Sequence, residues 1–257
     1  MTLGDSRGAL LEISHRKTAM ADNFVSMSEQ QLASLDALLA GREHQKWQSF
    51  YADRARPCPF FVDHPDENLA QWIDEGLVVP GRAIDLGCGH GRNAVYMAQR
   101  GFSVQAVDYS GSAVAWATER VAAAGVAVEI TQQSVLDLEL PPHSFDLVYD
   151  SGCFHHLPPH RRHQYVRLVA DALKPGGVFG LVCFTPEGGN PWSDDEVYQQ
   201  GSLGGGLGYT EERLRAIWSP VLRIDQLRLM RQPAPDAGVF GRGFLWCMLA
   251  TKADEAR

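Results

Sequence analysis

The apolar run Ala83-Ile84-Asp85-Leu86 gives way to glycine at alternate positions, Gly87, Gly89 and Gly91, before an apolar-periodic stretch opens at Arg92. A strand that ends in such a loop and reopens as a helix turns tightly and lets a ligand lie against bare main chain. The spacing differs from the Gly-x-Gly-x-x-Gly of dinucleotide sites, and Asp85 sits just before it. A carboxylate in that place repels a pyrophosphate and attracts an ammonium, so the loop suits an amino-acid moiety. Asp108, 21 positions after Gly87 (108 − 87), closes the next strand-like run, where a carboxylate can accept both hydroxyls of a ribose. Its other reading is the N-cap of the following helix, since Ser110 and Ser112 crowd the same turn.

An amino acid and a ribose on one ligand favour S-adenosylmethionine over NAD. A further cluster, Asp150-Ser-Gly-Cys-Phe-His-His156, follows a later strand-like run and lies at the carboxyl edge of the expected sheet. Ser151 and Gly152 line the methionine side of that pocket. His155 or His156, titrating near neutrality, either serves as a general base or holds the turn by hydrogen bonds. Aromatic residues gather before the glycine loop at Trp47, Phe50, Tyr51, Phe60 and Phe61, and again at Trp192 and Tyr209. Such residues form either core or pocket wall; Tyr51, Phe60, Phe61, Trp192 and Tyr209 are the expected walls of a substrate site.

The elements that must position these groups alternate. Strands are expected at 82–86, 103–107, 127–131, 145–149 and 177–184, with helices at 92–100, 112–124 and 161–173 between them. Crossovers of this length predict a parallel, doubly wound α/β sheet. Residues 28–78 form a helical and aromatic lead-in over the active site, with a helix from Ser28 to about Ala40, a separate helical piece at 45–51 and a third from Asp66 to Glu75. Residues 1–27 are expected to be poorly ordered, and 79–257 form the main domain. An insertion, 186–208, is too glycine-rich for core and reads as a mobile lid. After a short helix at 210–218, runs at 221–230 and 243–251 predict an antiparallel pair.

Four stretches, Ile84-Asp-Leu-Gly-Cys-Gly-His-Gly-Arg-Asn-Ala-Val-Tyr96, Gly101-Phe-Ser-Val-Gln-Ala-Val-Asp108, Ser144-Phe-Asp-Leu-Val-Tyr-Asp150 and Leu173-Lys-Pro-Gly-Gly177, resemble the class I S-adenosylmethionine-dependent methyltransferases. The match spans roughly Gly81 to Phe184 and looks most like the branch of tellurite-resistance and thiopurine-type enzymes. The resemblance implies a Rossmann-like sheet of seven strands in the order 3-2-1-4-5-7-6, the last antiparallel. It places Asp85 and Gly87 near the methionine moiety, Asp108 on the ribose and the backbone at Ser134 and Val135 beside the adenine. Many relatives carry an acidic residue near Ser134, so here the adenine amino contact falls to Ser134 or Asp137. The full expected cofactor set is Asp85, Gly87, Cys88, Gly89, Gly91, Arg92, Asn93, Asp108, Tyr109, Ser110, Ser134, Val135, Asp150 and Ser151. The implied activity is in-line methyl transfer to a small molecule through sulfur, oxygen, nitrogen or a soft anion. The alternative is a non-methylating reaction on the same cofactor, such as a cyclisation.

Composition bounds the partners. The chain has 257 residues and a net charge of −8, with no run of Lys and Arg long enough to track a phosphate backbone. Arg161, Arg162, His163 and Arg167 read as the exposed side of a helix. Neither nucleic acid nor membrane is an expected partner, and oligomeric state is not legible. The five cysteines are scattered and lack metal-ligand spacing, which reads as reduced thiols in a cytoplasmic protein without a bound metal.

Overall fold

The computed structural model describes residues 28–254, apart from the side chains of 40–45. The segment 1–27, expected to be poorly ordered, lies outside the described residues. Ser28 opens the fold with a capping box, its hydroxyl accepting the Gln31 N–H while the Gln31 side chain accepts the Ser28 N–H. One continuous helix follows, α1 (Glu29–Ala52), where the sequence had suggested two pieces. Gly41 inside it costs about 1 kcal/mol of helix propensity, and tertiary contacts on both sides override the break. Asp36 pairs with Arg161 and His160 in the first half. Gln48 exchanges hydrogen bonds with Ser112 in the second half.

The next helix, α2 (Glu67–Asp74), leads into β1 (Arg82–Leu86), α3 (Arg92–Gln99), β2 (Ser103–Asp108), α4 (Gly111–Ala124) and β3 (Val128–Gln132). After β4 (Phe145–Ser151), short 3-10 turns lead to α5 (Arg162–Ala172) and β5 (Leu173–Phe184). The chain ends with α6 (Asp194–Gln200), α7 (Glu211–Trp218), β6 (Arg223–Leu229) and β7 (Leu245–Thr251). The sheet order is β3-β2-β1-β4-β5-β7-β6. β1 to β5 pair in parallel, while β7 runs antiparallel to both β5 and β6. The doubly wound fold and the strand order therefore match the expectation. The carboxyl ends of β1, β2 and β4 meet at one edge, where ligands bind in such sheets.

Alternate residues of the central strands feed two apolar layers. Ile84, Phe179 and Leu181 meet Tyr165, Val169 and Trp218 on one face; Ala83, Leu147 and Tyr149 meet Leu69, Trp72 and Met97 on the other. Part of the insertion belongs to the core, and Gly188, Leu203 and Gly205 of it line the cavity described below. Ser193 and Glu196 form a second capping box that opens α6, and Leu203, Leu207 and Tyr209 are buried in the first layer. Asp194 ties this segment to α5 and α7 by accepting from both Arg162 and Arg213. Arg162 is thus buried in an ion pair, and Arg161 is engaged by Asp36, so those two arginines are not an exposed basic face. No helix among the described residues is long and apolar enough to cross a membrane.

The layers leave little room. A Cβ on Gly180 of β5 would lie 2.7 Å from the Tyr149 ring and 3.1 Å from the Trp72 ring, both fully buried. Gly180→Ala is expected to cost about 1–3 kcal/mol through overpacking, read as a lower midpoint in urea unfolding at unchanged slope.

Candidate cofactor and acceptor site

Each glycine of the first loop adopts a positive φ, and each abuts a different neighbour. A Cβ on Gly87 would come within 2.7 Å of Cys153, one on Gly89 within 2.5 Å of the Tyr51 hydroxyl, and one on Gly91 within 3.0 Å of Ala117. The loop is held from below by Asp108, whose carboxylate accepts the Gly89 N–H at 2.9 Å and the Ser110 N–H at 2.8 Å. Each Asp108 oxygen keeps a further lone pair, so both the expected ligand contact and a structural role fit the same side chain.

Asp85 is 1% exposed, and its Oδ2 has no hydrogen-bond partner. Burial, reinforced by the nearby carboxylates of Asp66, Asp150 and Asp108 and opposed by Arg92, pushes its pKa up to about 8. An unpartnered buried carboxyl at the loop is the structural counterpart of the ammonium inferred from the sequence.

Arg92 and Asn93 open α3 and converge on Asp66, the residue before α2. The Asp66 carboxylate accepts from Arg92 at 2.6 Å, Asn93 at 2.9 Å and the Tyr149 hydroxyl at 2.8 Å. Asp66 is completely buried and was missed as a site residue, because its sequence neighbourhood shows only an ordinary helix start. Its partnership with Arg92 spans 26 positions, with no local signal.

Asp85, Gly87, Gly89, Arg92, Asn93 and Asp108 border one cavity of about 1220 Å³, with Asp66 behind its wall. Of the expected cofactor set, Asp85, Gly87, Cys88, Gly89, Arg92, Asn93, Asp108, Tyr109, Ser134, Val135 and Ser151 line it. Three do not. Gly91 is spent on close packing against α4, and Ser110 caps that helix by accepting the Ala113 N–H. Asp150 turns inward, accepting from the Cys153 and Phe154 amides and the Tyr165 hydroxyl, and so shapes the loop after β4 without reaching the ligand space.

Of the expected substrate walls, Tyr51 and Phe60 line the cavity. Phe61 instead packs edge-on to Trp116, Trp192 lies against the core, and Tyr209 is fully buried beside Phe154. Trp47 and Phe50 of α1 line it too. Phe184, Phe240 and Phe244 line it as well, and none of the three had been singled out from the sequence.

His155 and His156 also line the cavity. The His155 Nδ1 accepts the Phe184 N–H at 3.3 Å, which puts its proton on Nε2 and leaves a donor rather than a base. Burial lowers its pKa to about 3 and takes that of His156 well below the ordinary imidazole value. Both rings are therefore neutral at pH 7, and the contact with Phe184 presents His155 as a donor through Nε2.

Asp85 also carries a stability consequence. With its pKa raised, the folded state holds a proton that the unfolded chain releases near pH 4; the resulting advantage is full below that and is lost as pH rises through about 8. Asp85→Asn should therefore be more stable than the parent above pH 8, with the difference in Tm shrinking toward pH 4.

Residues 83–177 match the family model of a methyltransferase domain. Over 120 residues the chain is 38% identical to the ribosomal RNA small subunit methyltransferase C of Alcanivorax borkumensis, covering 45% of this chain and 36% of that protein. Over 151 residues it is 28% identical to the 2-heptyl-1-hydroxyquinolin-4(1H)-one methyltransferase of Mycobacteroides abscessus, covering 56% and 66%. The chain thus spans between 36% and 66% of the length of these relatives. Among solved structures it superposes on the Burkholderia thailandensis 1,6-didemethyltoxoflavin-N1-methyltransferase, which holds 1,6-didemethyltoxoflavin and S-adenosylhomocysteine. The TM-score is 0.61 at 21% identity, over 89% of this chain and 92% of that one. None of these matches singles out the tellurite and thiopurine branch. The fold is that of the class I methyltransferases, residues 83–177 match a methyltransferase domain, and the cofactor is S-adenosylmethionine.

Proposed function

We propose that this protein transfers the methyl group of S-adenosylmethionine to a small-molecule acceptor. The observation that carries this reading is the single continuous cavity: at about 1220 Å³ it exceeds the ~300–1,000 Å³ of a pocket for one drug-sized ligand, and it joins the glycine loop to an aromatic wall under α1. A named relative and a structural neighbour both act on small heterocycles, which supports the same class. The net charge of −8 and the helix lying across the cavity argue against a nucleic-acid partner, and five free cysteines suit a cytoplasmic setting.

The bound cofactor supplies a methyl group on a sulfonium, already activated toward a nucleophile. The work left to the chain is alignment and exclusion of water. Asp85 takes the ammonium in its carboxylate form, and Asp108 uses its free lone pairs for the ribose hydroxyls. The Ser134 hydroxyl caps the following turn by accepting the Leu136 N–H at 3.2 Å and keeps a second lone pair; Asp137, also on the cavity wall, offers the stronger, carboxylate acceptor for the adenine amino group. The backbone of Gly87 and Gly89 lies against the methionine portion, and Ser151 and Cys153 border the same space. α1 covers the cavity and keeps it dry around the reacting atoms. His156 remains the only imidazole of the pair with an uncommitted acceptor role, and alignment alone suffices where the acceptor loses its proton readily.

Titration with S-adenosylhomocysteine and an assay for its release test the reading. Asp108→Ala removes two charge-assisted contacts and should weaken binding by about 10- to 100-fold. Gly89→Val should do the same by forcing a β-branched residue into a positive φ against Tyr51. Both variants are expected to keep a cooperative thermal transition. Affinity should rise about tenfold per unit between pH 6 and pH 8, because Asp85 must release its proton to receive the ammonium. In Asp85→Asn the rise disappears and affinity is low throughout. Unchanged affinity in both Asp108→Ala and Gly89→Val would refute the assignment.

A further inference from the structure

Six side-chain rings on the cavity wall touch one another in series. From Phe60 the chain of contacts runs to Phe50 (ring centroids 5.9 Å apart, stacked), to Trp47 (5.2 Å), to His156 (4.5 Å), to His155 (4.3 Å) and to Phe184 (3.8 Å, stacked). The arc is drawn from the lead-in, the loop after β4 and the end of β5, elements far apart in sequence. Core aromatics cluster in three dimensions and fill their own volume; these six instead border empty space. π-faces and ring edges repeated around one cavity favour a flat aromatic guest, which can stack or meet them edge-on at ring separations of about 4.5–7 Å.

The middle of the arc is polar but uncharged. His155 is held in one tautomer by the Phe184 amide, and Gly152 and Gly206 make room for the pair: a Cβ on Gly206 would sit 2.9 Å from His156 and 3.0 Å from His155. The His155 Nε2–H is given no partner by the described hydrogen bonds, and the ring borders the cavity. Each cation on the wall is already engaged: Arg92 is paired with Asp66, Arg161 with Asp36, and the Lys46 ammonium lies over the Trp47 ring, 5.3 Å from its centroid. Asp85, Asp108 and Asp137 border the same space and disfavour a further negative charge. Burial keeps both imidazoles neutral, so neither repels a neutral guest nor attracts an anion.

We propose that the methyl acceptor is a neutral, planar aromatic molecule that packs within this arc and accepts a hydrogen bond through a carbonyl or ring nitrogen from His155 Nε2. His155 acts as a positioning residue, fixing the in-plane orientation of the guest, while the flanking rings select flatness. The proposal rests on the reading of the site as a methyltransferase site.

The test is calorimetric titration of the protein saturated with S-adenosylhomocysteine, using chromone, which is flat and carries a carbonyl, 1-decalone, which is of similar size but puckered, and naphthalene, which is flat without an acceptor. Chromone is expected to bind at least tenfold tighter than 1-decalone. His155→Phe should cut chromone affinity at least fivefold and leave naphthalene within twofold. Trp47→Leu, which removes a ring without a hydrogen bond to the guest, should weaken chromone and naphthalene alike; titration of each variant with S-adenosylhomocysteine reports that it is folded. Chromone binding no tighter than 1-decalone, or indifferent to His155→Phe, overturns the proposal while leaving the cofactor assignment standing. Failure of the parent protein to bind S-adenosylhomocysteine removes both.

Discussion

Four carboxylates, Asp66, Asp85, Asp108 and Asp150, are buried together at the carboxyl edge of the sheet, and Arg92 is the buried guanidinium among them. Most of the surrounding architecture distributes that negative charge. Asp66 takes Arg92 itself, with Asn93 and the Tyr149 hydroxyl completing its shell. Asp108 is satisfied by main-chain amides and Asp150 by amides and a phenol. Asp85 alone of the four retains an oxygen without a partner. Buried polar groups left in this state are costly, and such a cost is tolerated where a ligand relieves it. The protein therefore carries its instability at the carboxyl that the proposed function assigns to the cofactor's ammonium.

The same network explains why the lead-in is part of the site rather than an appendage. Asp66 is joined to α3 by Arg92 and Asn93, and its flanking backbone pairs with Phe240 near β7. Breaking a buried ion pair of this kind by removing one partner costs about 3–5 kcal/mol. The aromatic residues at Phe60 and Tyr51 are held over the glycine loop by this anchor on one side and by the Gln48–Ser112 contacts on the other. Under the proposed function, cofactor binding and acceptor selection thus share a frame, although they use different elements.

The cofactor half of the site was legible in the sequence because its determinants are local. A strand, three glycines and a helix start lie within a dozen residues, and glycine at a position of positive φ leaves a visible mark. Asp108 was legible because it ends a strand. What escaped was long-range or satisfied by partners that sequence does not pair: Asp66 with Arg92, Asp150 turned away from the cavity, Tyr209 and Trp192 absorbed by the core. The join of two helical pieces into α1 escaped because docking outweighed a glycine. The packed part of the insertion escaped for a different reason. Its glycines were counted and its capping box, Ser193-Asp-Asp-Glu196, was not.

The three glycines of the loop bound three separate clearances: Gly87 toward the loop after β4, Gly89 toward the helix that covers the cavity, Gly91 toward α4. Because each clearance is set against a different element, a side chain added at any one of them displaces a different part of the structure: the loop after β4, the Tyr51 hydroxyl of α1, or α4. Three missing side chains thus fix how closely three separate elements shut on one loop.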